Sequence, residues 1–177
     1  MLAARGGALV GLWVVGQRFF GCPYGIDEAV ASCALDLTSP VSRDSVRAEA
    51  GWDEADSRVL RAAASWLDDY FAGKAPSPAA VRLAPAGTDF QRHVWEAMAT
   101  IPYGATRTYG QIVGQLWGAG IPASAQAVGG AVGRNPLLLI LPCHRVVAAS
   151  GPGGYAAGGH AKAWLLAHEA ATASSVS

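Results

Sequence analysis

Apolar side chains recur every three or four positions from Val59 to Phe71. Val59, Ala63, Trp66 and Tyr70 form one row, and Leu60, Leu67 and Phe71 widen it. That spacing predicts a helix opening at Asp53, with Gly73 and Pro76 to end it. Upstream, residues 8–15 (ALVGLWVV) are a β-branched and aromatic run that predicts a strand. The chain opens almost directly inside this run, so an earlier partner strand is expected to be missing or clipped. Residues 19–52 mix polarities without a clear period. The stretch GKAPSPAAVRLAPAG is dense in Pro, Ala and Gly and reads as a linker. It sets a boundary near residue 84, with 1–83 and 84–170 as two domains and 171–177 as a flexible tail.

The second half is more sharply punctuated. TDFQ at 88–91 places Thr and Gln as a capping box, and Phe90, Val94 and Met98 then share one helical face. IPYG breaks that helix. A second capping box, TYGQ at 108–111, opens another, with Ile112 and Leu116 inward. GAGIP turns the chain, Pro122 suits the first turn of a third helix, and Ala125, Val128 and Val132 line it. Two short helices joined by a Gly-containing turn are a helix-turn-helix candidate. NPLLLILPCHRVV predicts a buried strand or extended segment ending at a cysteine. AASGPGGYAAGG is a flexible loop able to close over a ligand, and HAKAWLLAHEA is a helix.

Composition narrows the classes. Of 177 residues, 51% are hydrophobic and 15% charged, which is a globular balance. Lys plus Arg equals Asp plus Glu at 13 each, so net charge points to no nucleic-acid or membrane partner and any basic surface must be local. No stretch approaches the ~18 unbroken apolar residues of a membrane-spanning helix. The first fifteen residues lack a signal peptide's cleavage site. Three cysteines, Cys22, Cys33 and Cys143, are too few for a disulfide framework and form no C-x-x-C pair, so no metal site is expected and a reducing cytoplasm is the natural setting.

Cys143 is set between Pro142 and His144. A thiol reacts as its thiolate, and an unperturbed cysteine is mostly protonated at neutral pH, so a neighbour must take or share the proton. His144 adjoins it, directly or through a bridging water, and Glu169 on the last helix is the best carboxylate to fix the imidazole tautomer. The pair taken alone fits equally well a buried cysteine capping a strand beside a solvated histidine. Cys22 and Cys33 have no such surroundings and read as buried structural residues. His93 and His168 read as surface or packing residues, and His160 is unassigned.

LPCHRVV after GRNP, with IPYGATRTYGQI upstream and GGYAAGGHAKAWLLAHE downstream, resembles the O6-alkylguanine-DNA alkyltransferase family from about Thr88 to Glu169. The resemblance implies an α/β (α+β) ribonuclease-H-like N-terminal domain plus a mainly α C-terminal helix-turn-helix domain. It implies a monomer that needs no cofactor and binds double-stranded DNA carrying O6-alkylguanine, with O4-alkylthymine as a second lesion. The alkyl group passes irreversibly to the protein's own cysteine after the base is flipped out. By position, Cys143 is the acceptor, His144 the water-linked base and Glu169 its polarising partner. Asn135 braces the turns, Tyr109 donates to the guanine ring, Tyr155 closes the pocket and Arg145 is structural. Arg134, Ala125, Gln126 and Ala127 face DNA. The chain departs from the pattern at Ala105, where the family usually has Glu, and at Gln126, where it usually has the arginine that fills the space of the extruded base. Two rivals remain: a lesion-binding module without transfer, whose relatives lack the cysteine, and a cysteine hydrolase, which needs an oxyanion hole and a histidine elsewhere in the chain.

Overall fold

The computed structural model describes residues 1–14, 17–22 and 54–173. The strand read at 8–15 is β2 (Ala8–Leu12), buried along its length. The partner expected to be missing is supplied by the chain itself: β1 (Leu2–Arg5) pairs antiparallel with β2 across a two-residue turn at Gly6–Gly7. The eight-residue run hid this hairpin because the four residues before it have no alternation of their own. Most of the aperiodic stretch 19–52, with Cys33, lies outside the described residues.

Helix α1 (Glu54–Phe71) follows the expected row, burying Val59, Leu60, Ala63, Trp66, Leu67 and Tyr70 against the hairpin. Phe71, assigned to the same stripe, is instead half exposed at the helix end. Asp56 in the first turn accepts the Gly7 amide at 2.7 Å and ties the hairpin turn to the helix.

The presumed linker is strapped to the sheet. Leu9 N–H donates to Arg82 O at 2.8 Å, Ala84 N–H donates to Leu9 O at 2.9 Å, and Val81 is buried. At its far end β2 holds the other half: Leu12 N–H donates to Pro136 O at 2.8 Å and Leu138 N–H to Leu12 O at 3.1 Å. One hydrophobic cluster therefore runs across residue 84, from Leu9 through Tyr70 to Leu165.

Both capping boxes are present. Thr88 and Gln91 cap α2 (Asp89–Ala99), and Thr108 and Gln111 cap α3 (Tyr109–Gly118). α4 (Ala125–Gly133) begins later than Pro122 suggested, because the Ser124 side chain accepts from Ala127 N–H and sets the start there. Val128 and Val132 are inward as expected, but Ala125 is exposed, and Ala131 takes the third buried place. Trp117 Nε1–H donates to Ala123 O at 3.0 Å and ties α3 to the intervening turn, while Trp95 Nε1–H on α2 donates to Ala131 O at 3.0 Å; α2 packs against both helices of the helix-turn-helix.

The apolar run LLLIL is not a strand. After a single bridge at Leu137 the chain coils tightly, with Leu141 N–H donating to Leu137 O and Leu139 at a φ of 68°. A 3-10 turn at Cys143–Arg145 follows, then β4 (Val146–Val147), parallel to β3 (Arg107–Thr108). α5 (Gly159–Ala173) closes the fold and runs three residues into the segment read as tail. Residues 174–177 lie outside the described residues.

Candidate active site

The 3-10 turn places Cys143 at its first position, 2% exposed. Asn135 holds this corner together. Its Nδ2 donates to Leu141 O at 2.7 Å and approaches Cys143 Sγ at 3.1 Å, while its Oδ1 accepts from Leu137 N–H at 2.9 Å. The expected bracing residue thus also touches the thiol. Burial pushes the Cys143 thiol up to about 11, against the Asn135 bond and the Lys162 charge, which pull it down. The resting group is therefore a thiol, and it needs a base.

His144 is fully buried, with Nε2 2.7 Å from Glu169 Oε1. Burial would raise the Glu169 carboxyl, but bonds from His144 and Arg145 outweigh it and hold the group at about 2. A carboxylate only accepts, so Nε2 carries the proton and Nδ1 presents its lone pair. Nδ1 has no hydrogen-bond partner among the described residues. Burial also lowers the His144 pKa, so the imidazole rests neutral. The result is a buried base with its accepting nitrogen free.

Arg145 fixes the carboxylate from the same turn. Its Nε lies 2.9 Å from Glu169 Oε2, its Nη2 2.9 Å from Oε1, and its Nη1 donates to Ile101 O at 2.8 Å. Gly104 N–H donates to Oε2 at 3.0 Å. Only glycine serves there, since its φ is 74° and a Cβ would come within 2.8 Å of the Ala173 side chain. This is the physical content of the IPYG break.

Three residues were missed. Lys162 is 0% exposed, and its ammonium donates to Val146 O at 2.6 Å and Gly154 O at 3.0 Å, pinning the Gly-rich loop beside the thiol. Its burial could have been found from its place in the periodic stripe of HAKAWLLAHE. Tyr70 donates to Glu169 Oε1 at 2.7 Å, and nothing in the sequence marks it beyond an apolar row. Phe19 lines the cavity that opens on Cys143 and carries both Arg18 and Arg134 over its ring, at 4.8 and 5.1 Å. It sits in a stretch with no readable period.

That cavity has a volume of about 300 Å³. Tyr109 from α3, Gly129 and Gly130 from α4, Arg134 and Tyr155 line it with Cys143. Burial raises the Tyr109 and Tyr155 hydroxyls, so both remain protonated donors. Gly153 has a φ of 70°, and a Cβ there would come within 3.2 Å of Ala148 N and 3.4 Å of the Tyr109 ring, so the loop beside Tyr109 favours glycine. Ala125, Gln126 and Ala127 are exposed on the first turn of α4 and do not line the cavity. Ala105 is half-buried. Cys22, expected to be buried, is exposed. His168 packs as expected, stacked on Trp164 at 5.1 Å, while His93 is half-buried and His160 exposed. Among the described residues no group of side chains could hold a metal ion, and no helix is long and apolar enough to cross a membrane.

A buried thiol beside a neutral histidine, opening on a cavity walled by a helix-turn-helix, is the arrangement of a cysteine-nucleophile protein built around that motif. Comparison with known proteins narrows the class. Residues 89–171 match the DNA-binding domain of 6-O-methylguanine DNA methyltransferase. The chain is 47% identical over 116 residues to the methylated-DNA–protein-cysteine methyltransferase of Methanosarcina acetivorans, covering 65% of this chain and 71% of that protein. To the protein of the same name from Mycolicibacterium paratuberculosis it is 46% identical over 120 residues, covering 67% and 70%. The solved structure of Mycobacterium tuberculosis OGT in complex with DNA superposes with a TM-score of 0.67 at 36% identity, covering 97% of this chain and 86% of that one. The chain belongs to the methylated-DNA–protein-cysteine methyltransferase family, and its mixed α/β architecture is that of the alkyltransferase fold.

Proposed function

We propose that this protein repairs DNA by moving an alkyl group from guanine O6 to Cys143. The observation that carries this is a shared wall: α4 lines the thiol cavity with Gly129 and Gly130 and exposes Gln126 at its other end. A base drawn out of a duplex held on α4 would need to travel only along that helix.

The step is a displacement at saturated carbon. Cys143 Sγ bonds to the alkyl carbon as the carbon–O6 bond breaks, and the electron pair moves onto guanine. The thiol proton passes to His144 Nδ1, directly or through one water, and later to solvent. Guanine takes a proton at N1. Glu169 and Arg145 hold the imidazole and stay charged throughout. Tyr109 donates to the departing base as negative charge grows on it, and Tyr155 packs over it. The thioether has no leaving group that water can expel, so each molecule reacts once.

Gln126 fills the space left by the base, and Ala125, Ala127 and Arg134 lie against DNA. Residues 1–83 form the small ribonuclease-H-like domain of these proteins, and the protein acts as a cytoplasmic monomer. O4-alkylthymine, which also carries its alkyl group on an exocyclic oxygen, is a second substrate in this reading. Mixing the protein with duplex DNA carrying O6-methylguanine should add the mass of one CH2, on the peptide containing Cys143, with no second turnover. Continued release of methyl groups would indicate a hydrolase, and binding without mass gain a lesion-recognition module.

A further inference from the structure

Tyr70 lies 99 residues before Glu169 in the chain, on α1, and is 0% exposed. Its hydroxyl is 2.7 Å from Glu169 Oε1 and 3.4 Å from His144 Nε2. A carboxylate has no proton to give, so the phenol donates to it. Oε1 then receives Tyr70, His144 Nε2–H and the Arg145 guanidinium together. Those donors compete for one oxygen's charge. What Tyr70 and Arg145 draw from Oε1 is not available to a protonated His144.

We infer that Tyr70 is a positioning residue for alkyl transfer: by donating to the oxygen of Glu169 that holds His144, it sets, from the N-terminal half of the chain, how firmly that oxygen grips the imidazole. This rests on the function proposed above. The other described members of the network, Ile101, Gly104, His144, Arg145 and Glu169, all belong to the C-terminal half. Other groups act on His144 as well: Arg145 on its own turn, Cys143 beside it, Lys162 on α5, and Tyr155, whose ring centre is 6.3 Å away. None of these changes when the Tyr70 hydroxyl is removed.

Packing alone would also explain a buried tyrosine here. The ring stacks on Trp66 at 5.4 Å and meets Tyr103 edge-on at 5.8 Å. Tyr70→Phe keeps those contacts and leaves Glu169 with its other donors, so it isolates the hydroxyl. In the full chain, the His144 titration is followed by NMR before reaction, and single-turnover methyl transfer from duplex DNA is measured against pH. Freed from one competitor, Glu169 holds the imidazolium more strongly. His144 should therefore titrate roughly half to one pH unit higher, and the acid limb of the transfer rate should follow it. 3-Fluorotyrosine placed at position 70 is a stronger donor and should shift both curves the other way, which also provides the test if the phenylalanine protein does not fold. Titration curves for His144 that coincide with the wild type overturn the inference, whatever happens to the melting temperature. If the wild type forms no adduct, the transfer reading fails while the His144 titration still decides on Tyr70.

Discussion

His144, Arg145, Lys162 and Glu169 are four groups able to carry charge, and none is more than 6% exposed. Ala125, Gln126 and Ala127, on the helix that walls the same cavity, are all exposed. The interior group is locked: each member is held by at least one hydrogen bond of 2.9 Å or less. The helix face has almost no side-chain bonding of its own. Among the described residues, the side-chain bond at that turn is the one the Ser124 hydroxyl accepts from the Ala127 amide. Buried polar networks fail as a unit when one member is lost, because the partners stay desolvated and unpaired. An exposed face tolerates change and tunes an outcome by degrees. In the proposed function, chemistry belongs to the first region and the handling of DNA to the second.

Cys143→Ser gives the sharpest separation. A hydroxyl is far less nucleophilic than a thiolate, so transfer should disappear, while α4 is untouched and DNA affinity should stay within a few-fold of wild type. Single-turnover assays and fluorescence anisotropy check the two halves. An alkyl group mapped to exposed Cys22 would remove the special status given to the interior. Conversely, iodoacetamide at neutral pH should label Cys22 well before Cys143, whose burial keeps it a thiol.

Glu169→Gln should rank next. It strips the counter-charge from a buried guanidinium, and breaking a buried pair typically costs about 3–5 kcal/mol. The transfer rate should collapse with the His144 tautomer no longer fixed. The acid stability profile adds a signature with a defined sign. The His144 pKa is lowered in the fold, so stability declines as pH falls below its ordinary 6.5, where only the unfolded chain takes up the proton. Glu169 is depressed from 4.5 to about 2, so its contribution is complete above 4.5 and is lost between 4.5 and 2. Melting temperature against pH should show both declines in the wild type and only the first in the variant. A second decline of equal size in both would place the acid-labile interaction elsewhere.

Much of the exposed region could be read directly, and less of the interior. Both capping boxes and the inward faces of α2 and α3 follow from spacing, because helix ends and periods are written in local residues. Cys143, His144 and Glu169 follow from the chemistry of a thiol that needs a base and a carboxylate behind it, and Asn135 from the family resemblance; the structure brings Asn135 to the thiol and Glu169 to the imidazole. The LLLIL run was misread as a strand because apolar density reports burial and carries no information on whether the backbone is extended or coiled. Tyr70 was read only as a core residue, since periodicity sees its ring and is blind to its hydroxyl. Lys162 was passed over because lysine is so seldom buried that its place in an inward stripe carried no weight. For Tyr70 the deciding partner, Glu169, lies 99 residues away.

Tyr109 stands between the two regions, rooted in α3 and facing the thiol cavity. In the proposed mechanism, Tyr109→Phe removes a hydrogen bond made mainly in the transition state. Losses of that kind run to about 10²–10³ in rate. Single-turnover transfer should slow by roughly that factor with little change in affinity for unmodified DNA. A rate within two-fold of wild type, by order of magnitude no loss at all, would make Tyr109 a packing residue.

Gln126 should give the smallest effect and the most informative one. Flipping a paired base costs a few kcal/mol of unstacking and unpairing. A side chain that fills the vacated space and brings positive charge near the phosphates offsets part of that cost. Glutamine fills less of it and carries no charge, so the wild type should react faster with an alkylated base in a mismatch or single strand than in a perfect duplex. Its reaction with the free base needs no flipping and should be comparatively good. Gln126→Arg should then speed repair of duplex DNA while leaving the free-base rate nearly unchanged, since residue 126 is exposed and does not line the cavity. The two rates, measured in single turnover for both proteins, separate the regions directly. If arginine changes both by one factor, position 126 is coupled to the interior and the division between chemistry and DNA handling fails. If it changes neither, the first turn of α4 does not enter the space of the extruded base.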